Sequence, residues 1–346
     1  MKVAILTDTH YGCRKGSKLF HDYFEKFYNE IFFPALDEHG IDTVIHMGDV
    51  FDSRKGIDFA ALTWAKRVVF EPLKERNIDT HIVSGNHDSY YKNTNAVTSV
   101  DLLLNEYHNI SVYTEATEVP IGNLPILFIP WINEENRKVT LQTIQDSTCK
   151  MSVGHLECRG FMPHRGCVME DGMDSNIFKN FSLVFSGHYH TRSNDSRVFY
   201  IGNPYEMFWN DVADRRGFVI LETDTLEWDY VNNPFRMFYN VYYEDTDHQL
   251  FDARELENKI VKVIVRKKSD NIKFEKFIDK LYSVGVAELK VIENFQLMES
   301  EEFEAEESED TLSILNRYIE ESDTELDKPV IQKLIREIYQ EACEAI

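Results

Sequence analysis

Residues 80–90 read Thr-His-Ile-Val-Ser-Gly-Asn-His-Asp-Ser-Tyr: a short β-branched run that empties into Gly85-Asn86-His87-Asp88. Four other runs end the same way. Lys2 to Leu6 leads to Asp8 and His10, and Thr43 to Met47 leads to Gly48-Asp49. Lys150 to Val153 leads to Gly154-His155, and Ser182 to Ser186 leads to Gly187-His188-Tyr189-His190. Between the runs, residues 17–38, 57–76 and 136–148 have the apolar spacing of amphipathic helices, and 94–106 carries a weaker version of it. Short strands alternating with helices predict a layered α/β domain over roughly residues 1–230.

The chain has 346 residues, 43% hydrophobic and 13% aromatic. At roughly 150 residues per domain this predicts about two domains and excludes global disorder, collagen-like repeats and a disulfide-stapled miniprotein. Lys plus Arg is 37 against 60 for Asp plus Glu, a net charge of −23, so polyanions are not attracted by the overall field. Nucleic-acid binding must then be local or supplied by a partner. Residues 299–346 hold 16 acids and 4 bases, about half of the surplus. Five cysteines without a CxxC fit reduced thiols in a cytosol. No apolar stretch approaches the ~18 residues of a membrane span, and no signal or lipidation motif is evident. The expectation is a soluble cytoplasmic protein.

After residue 190 the pattern predicts a β-meander with strands at 197–202, 217–223 and 226–231, and a boundary at Asn232-Asn233-Pro234. Strands at 237–243, 260–266 and 287–295 around a helix at 272–283 would make a small α+β domain. Glu299 to Asp310 carries eight acids in twelve residues and no base, the composition of a self-repelling linker. Residues 311–321 and 328–345 return to helical spacing.

A carboxylate or imidazole at one strand end is commonplace, but five successive runs each delivering one to three is not. In an α/β sheet such ends converge on one crevice. The set is Asp8, His10, Asp49, Asn86, His155, His188 and His190, all oxygen or nitrogen donors with no thiolate. It suits manganese, iron or zinc and permits magnesium. Seven groups exceed the needs of one ion, so two divalent ions sharing a carboxylate are expected, a site that activates water for attack on a phosphate ester. His87, next to Asn86, is the candidate general acid, and Asp52 the residue to hold its imidazole in the useful tautomer.

Asp8-x-His10, Gly48-Asp49-x-x-Asp52, Gly85-Asn86-His87-Asp88, Gly154-His155 and Gly187-His188-x-His190, in this order, resemble the calcineurin-like metallophosphoesterases. The resemblance implies a four-layer α-β-β-α sandwich. It also implies that Asp8, His10, Asp49 and His190 hold one metal, that Asn86, His155 and His188 hold the other with Asp49 bridging, and that His87 protonates the leaving group. Asp8-Thr9-His10-Tyr11-Gly12, Gly48-Asp49-Val50-Phe51-Asp52 and Tyr200-Ile201-Gly202-Asn203-Pro204 are similar to the SbcD and meiotic recombination eleven nucleases. Pro130-Trp131 and Glu134-Glu135-Asn136 resemble the branch found in T-even-type phages.

That family implies a nuclease domain (1–233), a DNA-binding capping domain (234–298), an acidic linker (299–310) and a helical tail (311–346) that docks on an SbcC-type, SMC-like coiled-coil ATPase. It implies manganese-dependent 3′-to-5′ exonuclease action with endonuclease capacity in recombination, repair or replication, a homodimer, and host cytoplasm for a phage protein. Some relatives carry histidine where Asp52 stands, so that position's part in duplex processing does not carry over.

For a single histidine, packing is the ordinary explanation. His21, His39, His46 and His81 lie outside the motifs and are expected to be structural or surface groups. Arg14, Lys15, Arg54 and Lys55, in loops after the first two motif strands, are either ordinary solvated charge or a positive rim that positions DNA phosphates. A metallophosphatase, a cyclic-nucleotide phosphodiesterase or a noncatalytic scaffold with structural metals remain as alternatives on the same scaffold.

Overall fold

The computed structural model describes residues 1–244, 251–266, 268 and 270–293, with 319, 328, 330–332, 334 and 335 of the C-terminal segment. The chain forms two compact units, Met1–Phe295 and Gln296–Ile346. In the second, every described residue is helical. The expected acidic linker at 299–310, and most of the helices expected over 311–321 and 328–345, lie outside the described residues.

Two six-stranded sheets make the frame. The first runs, in order, Trp228–Asn233, Arg216–Glu222, Lys2–Leu6, Thr43–His46, Asp79–Val83, Ile110–Tyr113, with the last four parallel. The second runs Ser193–Asn194, Val198–Tyr200, Leu183–Gly187, Met151–His155, Leu124–Ile129, Thr117–Ile121, with the middle four parallel. Strands buried on both faces read as continuous apolar runs, and the first strand shows why. Val3 and Ile5 face an inter-sheet core shared with Ile126, Phe128, Met151, Val153 and Phe185, while Ala4 and Leu6 face the outer helices.

On that outer side Lys18–Phe27, a π-helical turn over Tyr28–Phe32 and Phe33–His39 run on as one long element. Phe59–Ala65, Lys66–Phe70 and Glu71–Glu75 form another. Phe20, Phe24, Phe27 and Phe32 are buried there, each aromatic ring stabilising the layer by roughly 1.5–3 kcal/mol. Behind the second sheet, Arg137–Asp146 and a 3₁₀ turn at Ser175–Phe178 bury Ile144 and Phe178. The layers are therefore α, β, β, α.

The five motif strands divide between the two sheets of the expected four-layer sandwich, three in the first and two in the second. Two other expectations change. The strands after residue 190 are no meander, because Val198–Tyr200 joins the second sheet while Arg216–Glu222 and Trp228–Asn233 join the first. A helix over 94–106 shortens to Ser99–Leu104, because Thr94–Thr98 pairs with Ser89–Tyr91 as a hairpin. The Thr98 hydroxyl, accepting from the Asp101 N–H at 3.4 Å, starts that helix.

Beyond the first sheet, Phe238–Tyr242, Ile260–Val265 and Glu288–Glu293 form a parallel three-stranded sheet covered by Asn271–Ser283, with Phe274, Phe277 and Leu281 against Val241, Val261 and Val263. Met237, Phe238 and Ile260 pack into the main helix-side core. The buried Glu206 carboxylate accepts from the N–H groups of Met237 and Phe238 at 2.7 and 2.9 Å.

Candidate metal centre

Parallel register sets the carboxyl ends of neighbouring strands level. Leu6 pairs with His46 and His46 with Ile82 in the first sheet, and Gly187 with His155 in the second. The residues that follow meet between the sheets. Asp8, His10 and His190 offer ligand atoms within 4.8 Å of one another; so do His10, Asp49 and His87, and so do Asp49, His155 and His188. Asn86 Oδ1 lies 2.9 Å from both His155 Nε2 and His188 Nδ1. His10 Nε2 is 3.2 Å from His190 Nε2 and 3.7 Å from Asp49 Oδ2, which is 3.2 Å from His155 Nε2. All seven expected donors, with His87, therefore come together around Asp49. His21, His39, His46 and His81 do not. His21 stacks on Trp64, and His46 hydrogen-bonds Thr9 Oγ1.

Local backbone aims these groups at a cost. Asp8, His10, Asp49 and His188 all have left-handed φ, from 43° to 84°. Such non-glycine residues store about 1–3 kcal/mol each and collect at functional sites. Two glycines make room. A Cβ on Gly85 would strike Asp49, and one on Gly187 would strike Thr7 Oγ1.

Cross-bracing completes the frame. The His188 N–H donates to the Asp8 carboxylate at 3.1 Å, and the His87 N–H to Asp49 Oδ1 at 2.8 Å. Asp88, fully buried, accepts four backbone N–H groups: Asp49 at 2.8 Å, Gly85 at 2.9 Å, Val50 at 3.0 Å and Phe51 at 3.3 Å. Arg216, also buried, donates to the His190 carbonyl and to Asn203 Oδ1 and pairs with Asp211 and Asp214 at 3.1 and 3.2 Å. Sequence reasoning gave neither a role. Asp88 stood in the quoted motif and could have been found there; Arg216, at the start of an ordinary strand, left no signal.

The donor set fits divalent cations. His155 Nδ1 donates to the Met47 carbonyl at 2.8 Å, so in the neutral ring Nε2 presents a lone pair. It faces Asn86 Oδ1 and Asp49 Oδ2, both acceptors. Acceptors crowded together in this way call for a positive charge among them. The field agrees. Burial lowers the pKa of His10 and His155, but Asp52 and Asp49 beside the first, and Asp49 beside the second, carry both up to about 9. Burial pushes Asp49 up, yet His155, His87 and His10 hold it well below the carboxylate range. His188 is pushed down to about 3 by burial and by His155. Burial and the Asp49 charge raise Asp88 to about 6.

The expected partnership of Asp52 with His87 is corrected. His87 Nδ1 donates to the Asp52 backbone carbonyl at 2.6 Å, while the Asp52 carboxylate lies 3.3 Å from His10 Nδ1. The tight turn after Asp49 presents the carbonyl, not the side chain, to His87. Of the expected rim, Lys15 and Lys55 are exposed. Arg14 is packed inward: it donates to the Met207 carbonyl at 3.1 Å and lies against the rings of Phe20, Phe208 and Phe238. Arg54 is half-buried over Trp131.

The profile of the calcineurin-like phosphoesterase family matches residues 1–192. A protein of Enterobacteria phage T4, exonuclease subunit 1, is 31% identical over 309 residues, which span 88% of this chain and 89% of the phage protein. An archaeal phosphodiesterase of known structure aligns over 67% of this chain and all of its own, at 13% identity and a TM-score of 0.35. No helix among the described residues is long and apolar enough to cross a membrane.

Proposed function

The chain belongs to the calcineurin-like phosphoesterases, a family of metal-dependent hydrolases, and from that premise we propose that it is the nuclease subunit of an SbcCD-like complex, hydrolysing DNA phosphodiesters. The observation that carries the reading is the Asp49-centred cluster with His87 at its edge. Asp8, His10, Asp49 and His190 would hold one ion and Asn86, His155 and His188 the other, with Asp49 shared; of the metals this nitrogen–oxygen mixture suits, manganese is the one the nuclease resemblance favours. When bound, two such ions supply Lewis-acid charge and a water of lowered pKa. The Met47 carbonyl orients His155, and the Asp52 carbonyl fixes Nδ1 of His87 as a donor, leaving His87 Nε2 to pass a proton to the leaving oxygen.

DNA is favoured over other esters by the phage relative named exonuclease subunit 1. A 3′-to-5′ exonuclease with endonuclease capacity, acting in recombination and repair, is the corresponding activity. The word subunit in that name supports a multi-protein assembly. We assign the ATPase contact to residues 311–346, the capping role to 234–298 and the nuclease domain to 1–233, and take the active form as a homodimer.

The test is hydrolysis of linear duplex DNA, a nucleoside monophosphate and a phosphopeptide with manganese, by the wild type and His87→Ala. DNA should be the substrate, and His87→Ala should lower turnover about 10²–10⁴-fold with metal content intact. Faster turnover of either monoester would replace the nuclease reading by a phosphatase.

A further inference from the structure

The loop after Asp49 carries a guanidinium that the centre described above leaves unused. Arg54 is half-buried, and its Nη1 is shut off from solvent with no hydrogen-bond partner among the described residues. A charged donor in that state costs free energy that a ligand would recover. Its neighbour Lys55 is exposed. The Arg54 Cζ lies 5.1 Å from the centre of the Trp131 ring. Two residues upstream, the Asp52 carbonyl takes the His87 hydrogen bond, so one short segment orients His87 and carries Arg54.

Trp131 is half-buried on a well-braced stretch of backbone. Its backbone N–H donates to the Ser84 carbonyl at 2.8 Å, and its backbone carbonyl accepts from Asn95 Nδ2 and Asn136 Nδ2, both at 3.0 Å. Asn95 Oδ1 accepts in turn from Ser89 Oγ at 2.8 Å and Asn133 Nδ2 at 3.0 Å. Ser84 and Ser89 flank Gly85-Asn86-His87-Asp88, so this amide network ties the Trp131 backbone, from which the indole projects, to the loop bearing Asn86 and His87. An aromatic face holds a guanidinium by cation–π attraction. A fork so held keeps the geometry that binds two phosphate oxygens at once.

We propose that Arg54, seated on Trp131, grips the non-bridging oxygens of the scissile phosphodiester and is a catalytic residue of this chain. The proposal rests on the phosphodiesterase reading and adds a cationic donor that is always charged, which no carboxylate or neutral imidazole of the cluster provides.

Wild type, Arg54→Ala, Arg54→Lys and Trp131→Phe are assayed with manganese on bis(p-nitrophenyl) phosphate and on linear duplex DNA, with bound metal measured by elemental analysis and folding by thermal melting. Arg54→Ala should lower kcat/KM about 10²-fold on both substrates, the scale of losing one preorganised donor to the transition state, with metal content and melting temperature unchanged. Arg54→Lys should recover only part, as a point charge without the fork, and Trp131→Phe should keep most of the activity. A wild type that hydrolyses neither substrate refutes the phosphodiesterase reading itself. An active wild type matched by Arg54→Ala refutes the clamp alone. A loss confined to DNA would move the guanidinium to a flanking phosphate, and a loss accompanied by lost metal or earlier melting would make it structural; either overturns the proposal.

Discussion

Replacing Asp88 with asparagine should loosen the centre without touching a proposed ligand. Oδ2 of Asp88 accepts from Asp49 and Gly85, and Oδ1 from Val50 and Phe51. An amide has one acceptor oxygen, so in either orientation two of the four N–H groups lose their partner and face an NH₂. Hydrogen bonds to a charged group contribute about 1.5–3 kcal/mol each, which puts two of them at about 3–6 kcal/mol. Removing a charge that stands close to Asp49 offsets part of this, so the lower figure, about 3 kcal/mol, is expected. At about 1.4 °C per kcal/mol for a chain of this length, Tm should fall by roughly 4 °C. Because those N–H groups set the backbone of Asp49, manganese affinity should also fall about 10–100-fold, as when other groups that orient ligands are removed. Calorimetric melting and isothermal titration with manganese measure both. An Asp88→Asn protein with unchanged Tm and unchanged affinity would show that the carboxylate is not the tie between the two loops.

Acid should destabilise the protein through His46. Burial pushes its pKa from 6.5 down to about 3, so between those values the unfolded chain binds the proton and the native state does not. Stability is full above about pH 6.5 and falls by about 1.4 kcal/mol per unit below it. Urea unfolding at about pH 7.5 and about pH 5 should show the wild type losing about 2 kcal/mol more than His46→Gln; equal losses would contradict the assignment. For Gly187→Ala, a Cβ colliding with Thr7 and lying 2.9 Å from Asp8 Oδ2 and the Met47 carbonyl should cost about 1–3 kcal/mol and displace His188. An unaltered melting curve with unaltered metal binding would refute it.

The donor set was legible because ligand chemistry is carried by residue type, and strand ends announce themselves where a β-branched run stops at glycine. The long helices over 17–38 and 57–76 were legible from the spacing of Phe20, Phe24, Phe27 and of Ala61, Trp64, Ala65, Val68. The hairpin at Ser89–Tyr91 and Thr94–Thr98 was not: its residues are half-exposed, and helical periodicity continued through them. Arg14 read as a surface cation because the three phenylalanines around it, Phe20, Phe208 and Phe238, are scattered along the chain. The partner of Asp52 was misjudged because residue types do not say whether a turn offers its carbonyl or its side chain.

The amino-acid sequence alone determined which groups are available for metal chemistry and that each follows a short apolar or β-branched run, since hydropathy and donor type are local properties of a residue and its neighbours. Only the tertiary structure decided which of the runs lie in the first sheet and which in the second. It alone placed the clasp of Asp8 on His188, the cradle around Asp88 and the Arg54–Trp131 pair. Strand pairing and side-chain contact are settled by long-range packing, which repeats no pattern along the chain and so leaves none to read.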